Sequence, residues 1–273
     1  MTRKFENIII ASDMDGTFLT NCEAGKKRNR EKIEYFKEQG GHFTFSTGRS
    51  YKQILNEVPD AAELVNMPAV TCNGASLYDF ATQTELEYYP VAYETIVELE
   101  AFLNSQPDPI GLRGGSSTTF LYNQLNNPYI REDYALLSSR YILPVSQWES
   151  YGINKLAVRA EADVLARIRP ALTERFHGRL EVTQSDPTLI DVQSAGRTKA
   201  VLLGALVKNY FDRPMYLCVV GDYDNDLEML ALADLPCCPS NAVDCVKAAA
   251  KHCFCSNHEG VIADLVEYLD RTL

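Results

Sequence analysis

The residues with the clearest capacity for chemistry lie in the segment Asp13–Thr17, which contains two aspartates two positions apart. The apolar run Ile8–Ala11 precedes this segment, a pattern typical of a buried strand that ends in a loop. Side chains two positions apart on an extended chain point the same way, so Asp13 and Asp15 are expected to lie close together. Two such carboxylates disfavour each other's ionisation unless a cation intervenes, and a divalent metal ion is the obvious cation. The segment therefore indicates metal-assisted phosphate chemistry.

Gly16 and Thr17 complete this segment, and both are expected to bind a phosphate group. Gly16 allows the backbone to turn sharply and to approach a ligand closely. Thr17 adds a short hydroxyl that donates and accepts hydrogen bonds beside the two carboxylates. The alternative is an ordinary surface turn, in which aspartate, glycine and threonine are common.

Polar residues adjoin other predicted elements in a similar manner. Residues 46–49 (Ser-Thr-Gly-Arg) follow the apolar run Phe43–Phe45, Lys199 opens an apolar helix, and residues 221–226 follow the apolar run Tyr216–Val220. In an open parallel sheet the ends of several strands converge on one crevice. The sequence therefore predicts that these distant segments share one site.

With these four motifs in this order, the chain resembles the haloacid dehalogenase (HAD) superfamily. Within that superfamily it is similar to the Cof-type (class IIB) phosphatases, which carry a large inserted C2-type cap. The resemblance covers essentially the whole chain, because it includes residues 72–75 (Cys-Asn-Gly-Ala) and residues 257–261 (Asn-His-Glu-Gly-Val). It implies a magnesium-dependent phosphomonoesterase that works through an aspartyl-phosphate.

The resemblance also implies catalytic roles for four residues. Asp13 is the expected nucleophile, and Asp15 is expected to protonate the departing alcohol and later to deprotonate water. An exchange of these two roles is the main alternative, and the family order places the nucleophile first. Thr47 is expected to hydrogen-bond a phosphoryl oxygen, and Lys199 to neutralise charge on the phosphoryl group and on Asp13. Arg197 competes with Lys199 for the role of the cation.

The predicted metal ligands are carboxylates from two segments. Asp222 and Asp226 lie one helical turn apart, so both can face the same ion. Asp13 and the backbone carbonyl of Asp15 would complete a set of oxygen ligands that suits Mg²⁺, the predicted cofactor. Asp224 has two interpretations, as a further acidic residue of the site or as the N-cap of the helix that follows.

A second set of residues is expected to bind the phosphate or the rest of the substrate: Gly48, Arg49, Asn73 and Asn225. Arg49 could instead pair with an acidic residue on the neighbouring helix. Asn225 is expected to orient Lys199 or the phosphate, with a plain turn residue as the alternative.

The elements that must position these residues alternate between strand and helix, which predicts an α/β fold with a doubly wound parallel sheet. Residues 1–76 and 197–273 form the expected HAD-like catalytic core. The expected helices span residues 26–39, 51–58, 199–210, 225–233 and 244–251, with a final helix from Gly260, and the expected strands include residues 42–46, 69–72 and 216–220.

Residues 77–196 differ in character, with more aromatic residues and alternating strands such as residues 154–159. They are expected to form an inserted, smaller α/β cap domain that sets substrate specificity. Arg113 beside Gly114 and Gly115 could reach an anionic substrate or precede a plain glycine turn. Trp148 could form a wall of the substrate site or belong to the core of the cap.

The composition limits the classes of partner. The chain of 273 residues has a formal net charge of -11, which disfavours nucleic acid because phosphate backbones attract basic surfaces. No run of 18 apolar residues and no signal-peptide pattern is present, so we expect a cytoplasmic protein without membrane contact, as a monomer or homodimer. The eight cysteines are expected to stay reduced. A zinc site is the alternative for four of them, although their spacing does not match the usual motifs: Cys237, Cys238, Cys253 and Cys255.

The predicted function is hydrolysis of small phosphorylated metabolites, for which the resemblance makes sugar phosphates the commonest class. A phosphomutase that returns the phosphoryl group to sugar is the first alternative. A regulatory module that accepts a phosphoryl group on Asp13 without turnover is the second, and the presence of Asp15 argues against it.

Overall fold

The computed structural model describes residues 3–273, and these fold as two structural units. The first unit contains the described residues up to Leu86 together with Thr198–Leu273, and the second unit contains Glu87–Arg197. Residues 77–86, which the sequence analysis assigned to the insert, lie in the first unit. Strands and helices are numbered below along the whole chain.

A five-stranded parallel sheet is the centre of the first unit, with the strand order β14-β13-β12-β1-β2. All five residues of the strand that precedes Asp13 are buried, as expected for a parallel sheet covered on both faces. The strands are β1 (Ile8–Ser12), β2 (His42–Phe45), β12 (Tyr216–Val220), β13 (Leu235–Pro239) and β14 (His252–Phe254).

Helices cover both faces of this sheet. Ile33 of α1 and Leu265 of α10 pack in one apolar cluster with Ile10, Phe43 and Val220 of the strands. Strand residues that alternate with these point to the opposite face. The fold is therefore the doubly wound α/β arrangement that the sequence predicts. The helices are α1 (Glu23–Glu38), α2 (Tyr51–Glu57), α3 (Ala61–Leu64), α7 (Lys199–Tyr210), α8 (Leu227–Leu232), α9 (Asp244–Ala249) and α10 (Val261–Thr272).

A small three-stranded sheet continues the first unit next to β2. An isolated parallel bridge joins Ser46 to Val70 and connects this sheet to the end of β2. The strands are β3 (Ala69–Thr71), β4 (Ser76–Asp79) and β5 (Thr84–Tyr88), in that spatial order. The tight turn between β3 and β4 contains Asn73.

The second unit is a six-stranded sheet with the order β10-β11-β9-β6-β7-β8 and three helices. Apolar side chains from one face of the sheet and from its first and third helices form one hydrophobic cluster, whereas Ile130 of the second helix packs with Phe120 and Tyr122 in another. Its elements are α4 (Tyr93–Asn104), β6 (Gly111–Gly115), β7 (Phe120–Tyr122), α5 (Pro128–Leu136), β8 (Arg140–Ile142), β9 (Lys155–Arg159), α6 (Ala162–Arg175), β10 (Leu180–Asp186) and β11 (Leu189–Ser194).

The interpretation of Gly114 and Gly115 as a turn is wrong, because both residues lie within β6. A Cβ atom at Gly114 would lie 2.7 Å from the ring of Trp148, so the glycine makes room for this ring. Trp148 is a buried member of the hydrophobic cluster of the second unit. Arg113 Nη1 donates to Asp133 Oδ2 at 2.6 Å.

The observed elements depart from the expected ones at a few ends. Helix α1 starts at Glu23 instead of residue 26, and the helix expected from residue 225 begins as a 3₁₀ turn, Asp224–Asp226, before α8. Strand β14 was not expected. Among the helices of residues 3–273, none combines the length and apolar character needed to span a membrane.

Candidate active site

The site begins where β1 ends and the chain turns sharply after Asp13. The amide of Asp13 donates to the carbonyl of Val220 at 2.9 Å, which continues the pairing of β1 with β12. Gly16 then has a φ of 72°, and a Cβ atom on it would lie 2.3 Å from Asp222 Oδ2. Only glycine therefore allows this loop to approach Asp222 so closely.

Lys199 lies at the first position of α7, where Thr198 caps the helix by accepting a hydrogen bond from the amide of Val201. Lys199 Nζ donates to Asp13 Oδ1 at 2.6 Å and to Asp226 Oδ1 at 2.7 Å. Its competitor Arg197 belongs to the second unit, where its guanidinium stacks on the ring of Tyr89. Lys199 is therefore the cation that contacts Asp13.

The loop after β12 fixes the orientation of Asp226. The amides of Asp222 and Tyr223 donate to Asp226 Oδ2 at 2.8 Å and 3.2 Å. Tyr223 is the N-cap of the short turn, so the interpretation of Asp224 as the cap is wrong. The Asp224 carboxylate instead accepts a hydrogen bond from the thiol of Cys245 at 3.1 Å.

Asp13, Asp222 and Asp226 form an acidic group in which one ligand atom from each residue lies within 4.8 Å of the others. Among the described residues, no other group of three or more histidine, cysteine or acidic side chains has such a geometry. Thr17 Oγ1 donates to Asp222 Oδ1 at 2.7 Å, so its hydroxyl orients a predicted ligand. Carboxylate oxygens alone suit a hard divalent cation such as Mg²⁺.

The electrostatics of this acidic group favour the addition of positive charge. Burial, together with Asp226 and Asp222, raises the pKa of Asp13 well above its usual value, and the Lys199 ammonium offsets only part of this rise. Burial and then Asp226 raise the pKa of Asp222 to about 6. Burial opposes the charge of Lys199, but Asp13 and Asp226 outweigh it and raise the pKa of Lys199. Three carboxylates share one ammonium, so the residues present fit a divalent cation.

The Asp15 side chain pairs with Arg49. Arg49 donates from Nε to Asp15 Oδ2 and from Nη2 to Asp15 Oδ1, both at 2.7 Å, which is a bidentate pair. Arg49 Nη1 also donates to Glu57 Oε1 at 3.1 Å. The alternative of a pair with an acidic residue on the neighbouring helix is thus present, since Glu57 ends α2. Asp15 as a metal ligand through its backbone carbonyl stays a prediction.

Thr47 and Asn73 meet beside the ends of β2 and β3. Thr47 is fully buried, its Oγ1 accepts from the amide of Arg49 at 3.2 Å, and its carbonyl accepts from the amide of Asn73 at 2.9 Å. Gly48 lies between Thr47 and Arg49 in this loop. Asn225 Nδ2 donates to Asn73 Oδ1 at 3.4 Å, so the contact observed for Asn225 is with Asn73.

Asn241 is a residue of the site that the sequence reasoning missed. Its Nδ2 donates to the carbonyl of Gly16 at 2.7 Å, and its Oδ1 accepts from the amide of Asn257 at 2.9 Å. Asn241 lies just beyond the end of β13. The signal that could have identified it is the polar residue pair that follows this buried strand.

Comparison with known proteins finds a family model and relatives that match nearly the whole chain. A family model described as haloacid dehalogenase-like hydrolase matches residues 10–266. The 5-amino-6-(5-phospho-D-ribitylamino)uracil phosphatase YcsE of Bacillus subtilis (strain 168) is 24% identical over 261 residues, which cover 95% of this chain and 94% of that protein. The pyridoxal phosphate phosphatase YbhA of Escherichia coli (strain K12) is 27% identical over 272 residues, which cover 94% of this chain and 97% of that protein.

A solved structure shows the same fold. A protein from Streptococcus mutans UA159 has a TM-score of 0.84 to this chain at 24% identity, and the alignment covers 97% of this chain and 99% of that chain. The likeness extends over both structural units.

Proposed function

The chain belongs to the haloacid dehalogenase-like hydrolases and is a phosphatase of the Cof type, and we propose that it hydrolyses small phosphorylated metabolites with Mg²⁺ as its cofactor. The observation that supports this most strongly is the position of Lys199 Nζ, 2.6 Å from Asp13 Oδ1 and 2.7 Å from Asp226 Oδ1. It joins the expected nucleophile to the loop that contains Asp222.

In the proposed mechanism a carboxylate oxygen of Asp13 attacks phosphorus, and the bond from phosphorus to the departing alcohol breaks. Asp13, Asp222 and Asp226 would hold Mg²⁺, which supplies positive charge to the phosphoryl oxygens when bound. Lys199 neutralises charge on Asp13 and on the transferred group. Water then attacks the phosphorus of the aspartyl-phosphate, and Asp13 is regenerated.

Asp15 and Thr47 act on the departing alcohol, the attacking water and a phosphoryl oxygen. Asp15 donates a proton to the departing alcohol and later takes one from the attacking water. The bidentate pair with Arg49 orients its carboxylate. The Thr47 hydroxyl already accepts from the amide of Arg49, so its own proton is available to donate to a phosphoryl oxygen.

The substrate class is a small phosphomonoester. The relatives are named for a phosphorylated ribitylamino-uracil and for pyridoxal phosphate, and a net charge of -11 disfavours binding to nucleic acid. Sugar phosphates are the first class to test. The second unit, as the cap, is proposed to select the alcohol that leaves.

A panel of sugar phosphates, pyridoxal phosphate and other phosphomonoesters, assayed for phosphate release with Mg²⁺ and with a chelator, tests this function. We expect a ranked preference that disappears with the chelator. Isomerised sugar phosphate without free phosphate would instead indicate a phosphomutase. A long-lived phosphorylated Asp13 without phosphate release would indicate a regulatory phospho-acceptor module.

A further inference from the structure

Two cysteines outside the acidic group face each other across the last two strands of the central sheet. Cys238 of β13 and Cys253 of β14 are register partners in the parallel pair. Neighbouring strands lie about 4.8 Å apart. Disulfides form between residues whose Cα atoms are about 4.4–6.8 Å apart. The backbone therefore places these two residues at a separation that a disulfide can bridge.

The two thiols differ in exposure in a way that suits a reactive pair. Cys253 is exposed on the edge strand, whereas Cys238 is fully buried beneath the surface. Burial and then the adjacent Cys253 thiol raise the pKa of Cys238 to about 12, so the two side chains are direct neighbours. A solute can reach Cys253 first, and Cys238 is then the nearest group that can react with it.

The other cysteines of this region are not placed to replace Cys238 or Cys253 in a disulfide. Cys237 alternates to the opposite face of β13, where it packs in the apolar cluster and its thiol lies 3.6 Å from the carbonyl of Leu235. Cys255 lies beyond the end of β14 and contacts Arg28 Nη1 at 3.8 Å. The group of metal-ligating residues found among the described side chains contains no cysteine, which leaves the zinc interpretation without support.

We propose that Cys238 and Cys253 form a reversible disulfide in the presence of a peroxide, and that this bond lowers phosphatase activity. Cys253 loses its proton, and its thiolate attacks hydrogen peroxide, so that a sulfenic acid forms and the O–O bond breaks with release of hydroxide. This hydroxide takes up the proton that Cys253 lost and becomes the first water. The sulfur of Cys238 then attacks the sulfenic sulfur. The Cys238 proton leaves with the hydroxide as a second water, and two thiols are oxidised while one peroxide is reduced. A dithiol reductant reverses the bond.

The end of β13 connects this pair to the active site. Asn241 follows Cys238 by three residues and donates to the carbonyl of Gly16, and the amide of Val243 donates to the carbonyl of Asp222 at 3.0 Å. The amide of Ser240 also donates to the carbonyl of Cys255 at 3.3 Å, so a hydrogen bond joins the segments that follow the two strands. A covalent bond between the two sulfurs would constrain the end of β13 and, through Asn241, the position of the Gly16 carbonyl. This regulatory part rests on the proposed phosphatase function.

The test treats the full-length, Mg²⁺-loaded enzyme with hydrogen peroxide and maps its peptides by mass spectrometry without reduction. We expect a linked pair of peptides that contain Cys238 and Cys253, with the mass of two hydrogens lost. Hydrolysis of p-nitrophenyl phosphate should fall several-fold and should recover with dithiothreitol. A failure to find this linkage, or a linkage with unchanged activity, would overturn the proposal.

Two serine variants make the assignment specific. Cys253→Ser should keep its activity after peroxide treatment, whereas Cys22→Ser, which removes another exposed thiol, should lose activity as the wild type does. Equal loss in Cys253→Ser would place the sensitive thiol elsewhere. If the reduced enzyme hydrolyses no phosphomonoester, the proposed function fails, and the peptide masses still decide whether the disulfide forms.

Discussion

Lys199 is a buried cation within the site. Its side chain is only 2% exposed, and it contacts two carboxylates of an acidic group that contains three. Removal of one partner from a buried ionic group leaves the others uncompensated. The same side chain thus contributes to folding and, in the proposed mechanism, to charge neutralisation during transfer.

We expect Lys199→Met to lower the free energy of unfolding by about 3 kcal/mol and to remove nearly all phosphatase activity. Added Mg²⁺ should recover part of the stability, because the ion replaces the missing positive charge, but it should not recover the activity. Urea unfolding with and without Mg²⁺ measures the first effect. Lys208→Met, an exposed position on the same helix, should change neither quantity. Full activity in Lys199→Met would refute the role of this ammonium.

At the scale of elements, the site depends on loops that leave the carboxyl ends of parallel strands and approach one another closely. The turn after β1 is one such case, because Gly16 has a positive φ and a Cβ atom on it would lie 2.3 Å from the Asp222 carboxylate. Gly178 has nearly the same φ, 73°, but apart from its own atoms and its two chain neighbours nothing lies within 4 Å of where its Cβ would be. Substitutions at the two glycines therefore distinguish the cost of a left-handed backbone from the cost of a close contact with a neighbouring residue.

Gly178→Ala should cost about 1 kcal/mol of stability, since only the left-handed conformation is penalised, and should leave turnover unchanged. Gly16→Ala should cost more, and it should weaken Mg²⁺ binding because the added methyl displaces Asp222. Calorimetric titration with Mg²⁺ and steady-state kinetics distinguish the two variants. Equal effects of both substitutions would show that the approach of this turn to Asp222 is unimportant.

A buried ion pair in the sheet of the second unit predicts that the stability of the protein depends on pH. Lys155 Nζ lies 2.8 Å from the buried carboxylate of Asp191, and the hydroxyl of Ser185 donates to the same oxygen at 2.8 Å. Although burial opposes it, Lys155 and Ser185 lower the pKa of Asp191 in the folded state. A lowered folded pKa contributes stability above the unfolded pKa of about 4, and this contribution is lost as the pH falls through the folded pKa.

Asp191→Asn should therefore be less stable than the wild type at pH 6, and the difference should shrink as the pH falls below about 4. Denaturant unfolding at a series of pH values gives this comparison. Glu149→Gln, at an exposed position of the same unit, should show no such trend. A difference that stays constant down to pH 3 would contradict the assignment.

How much of the fold and of the candidate site could be predicted from the sequence depends on the length and burial of each element. Strands β1 and β12 are buried on both faces and read as continuous apolar runs, so the motifs at their ends could be assigned. Strand β14 has three residues of mixed exposure and gives no such signal. Contacts between distant side chains, such as Arg49 with Asp15, depend on packing that no local pattern encodes.

At the scale of the whole molecule, the buried acidic group couples metal binding to stability. A ligand that binds only the folded state stabilises it by about 2.7 kcal/mol when present at one hundred times its dissociation constant. Burial and the neighbouring carboxylates raise the pKa values of Asp13 and Asp222, so added positive charge would stabilise the ionised form of both. Mg²⁺ would supply that charge.

We expect Mg²⁺ to raise the melting temperature by several degrees, with no comparable effect of NaCl at equal ionic strength. Asp222→Asn should lose most of this increase, because it removes a charged ligand. The variant Asp212→Asn, at an exposed position, should keep the increase in melting temperature. Differential scanning calorimetry provides the measurement, and an equal increase in the Asp222→Asn variant would place the ion elsewhere.

The most direct test of the central claim is detection of the phosphorylated enzyme. An Asp15→Asn variant, mixed rapidly with p-nitrophenyl phosphate and Mg²⁺ and then quenched in acid, should accumulate one phosphoryl group, since water attack is slowed. Peptide mass spectrometry should locate it on Asp13, and the further substitution Asp13→Asn should abolish both the adduct and turnover. Phosphate release by Asp13→Asn, or a phosphoryl group found on another residue, would contradict the account.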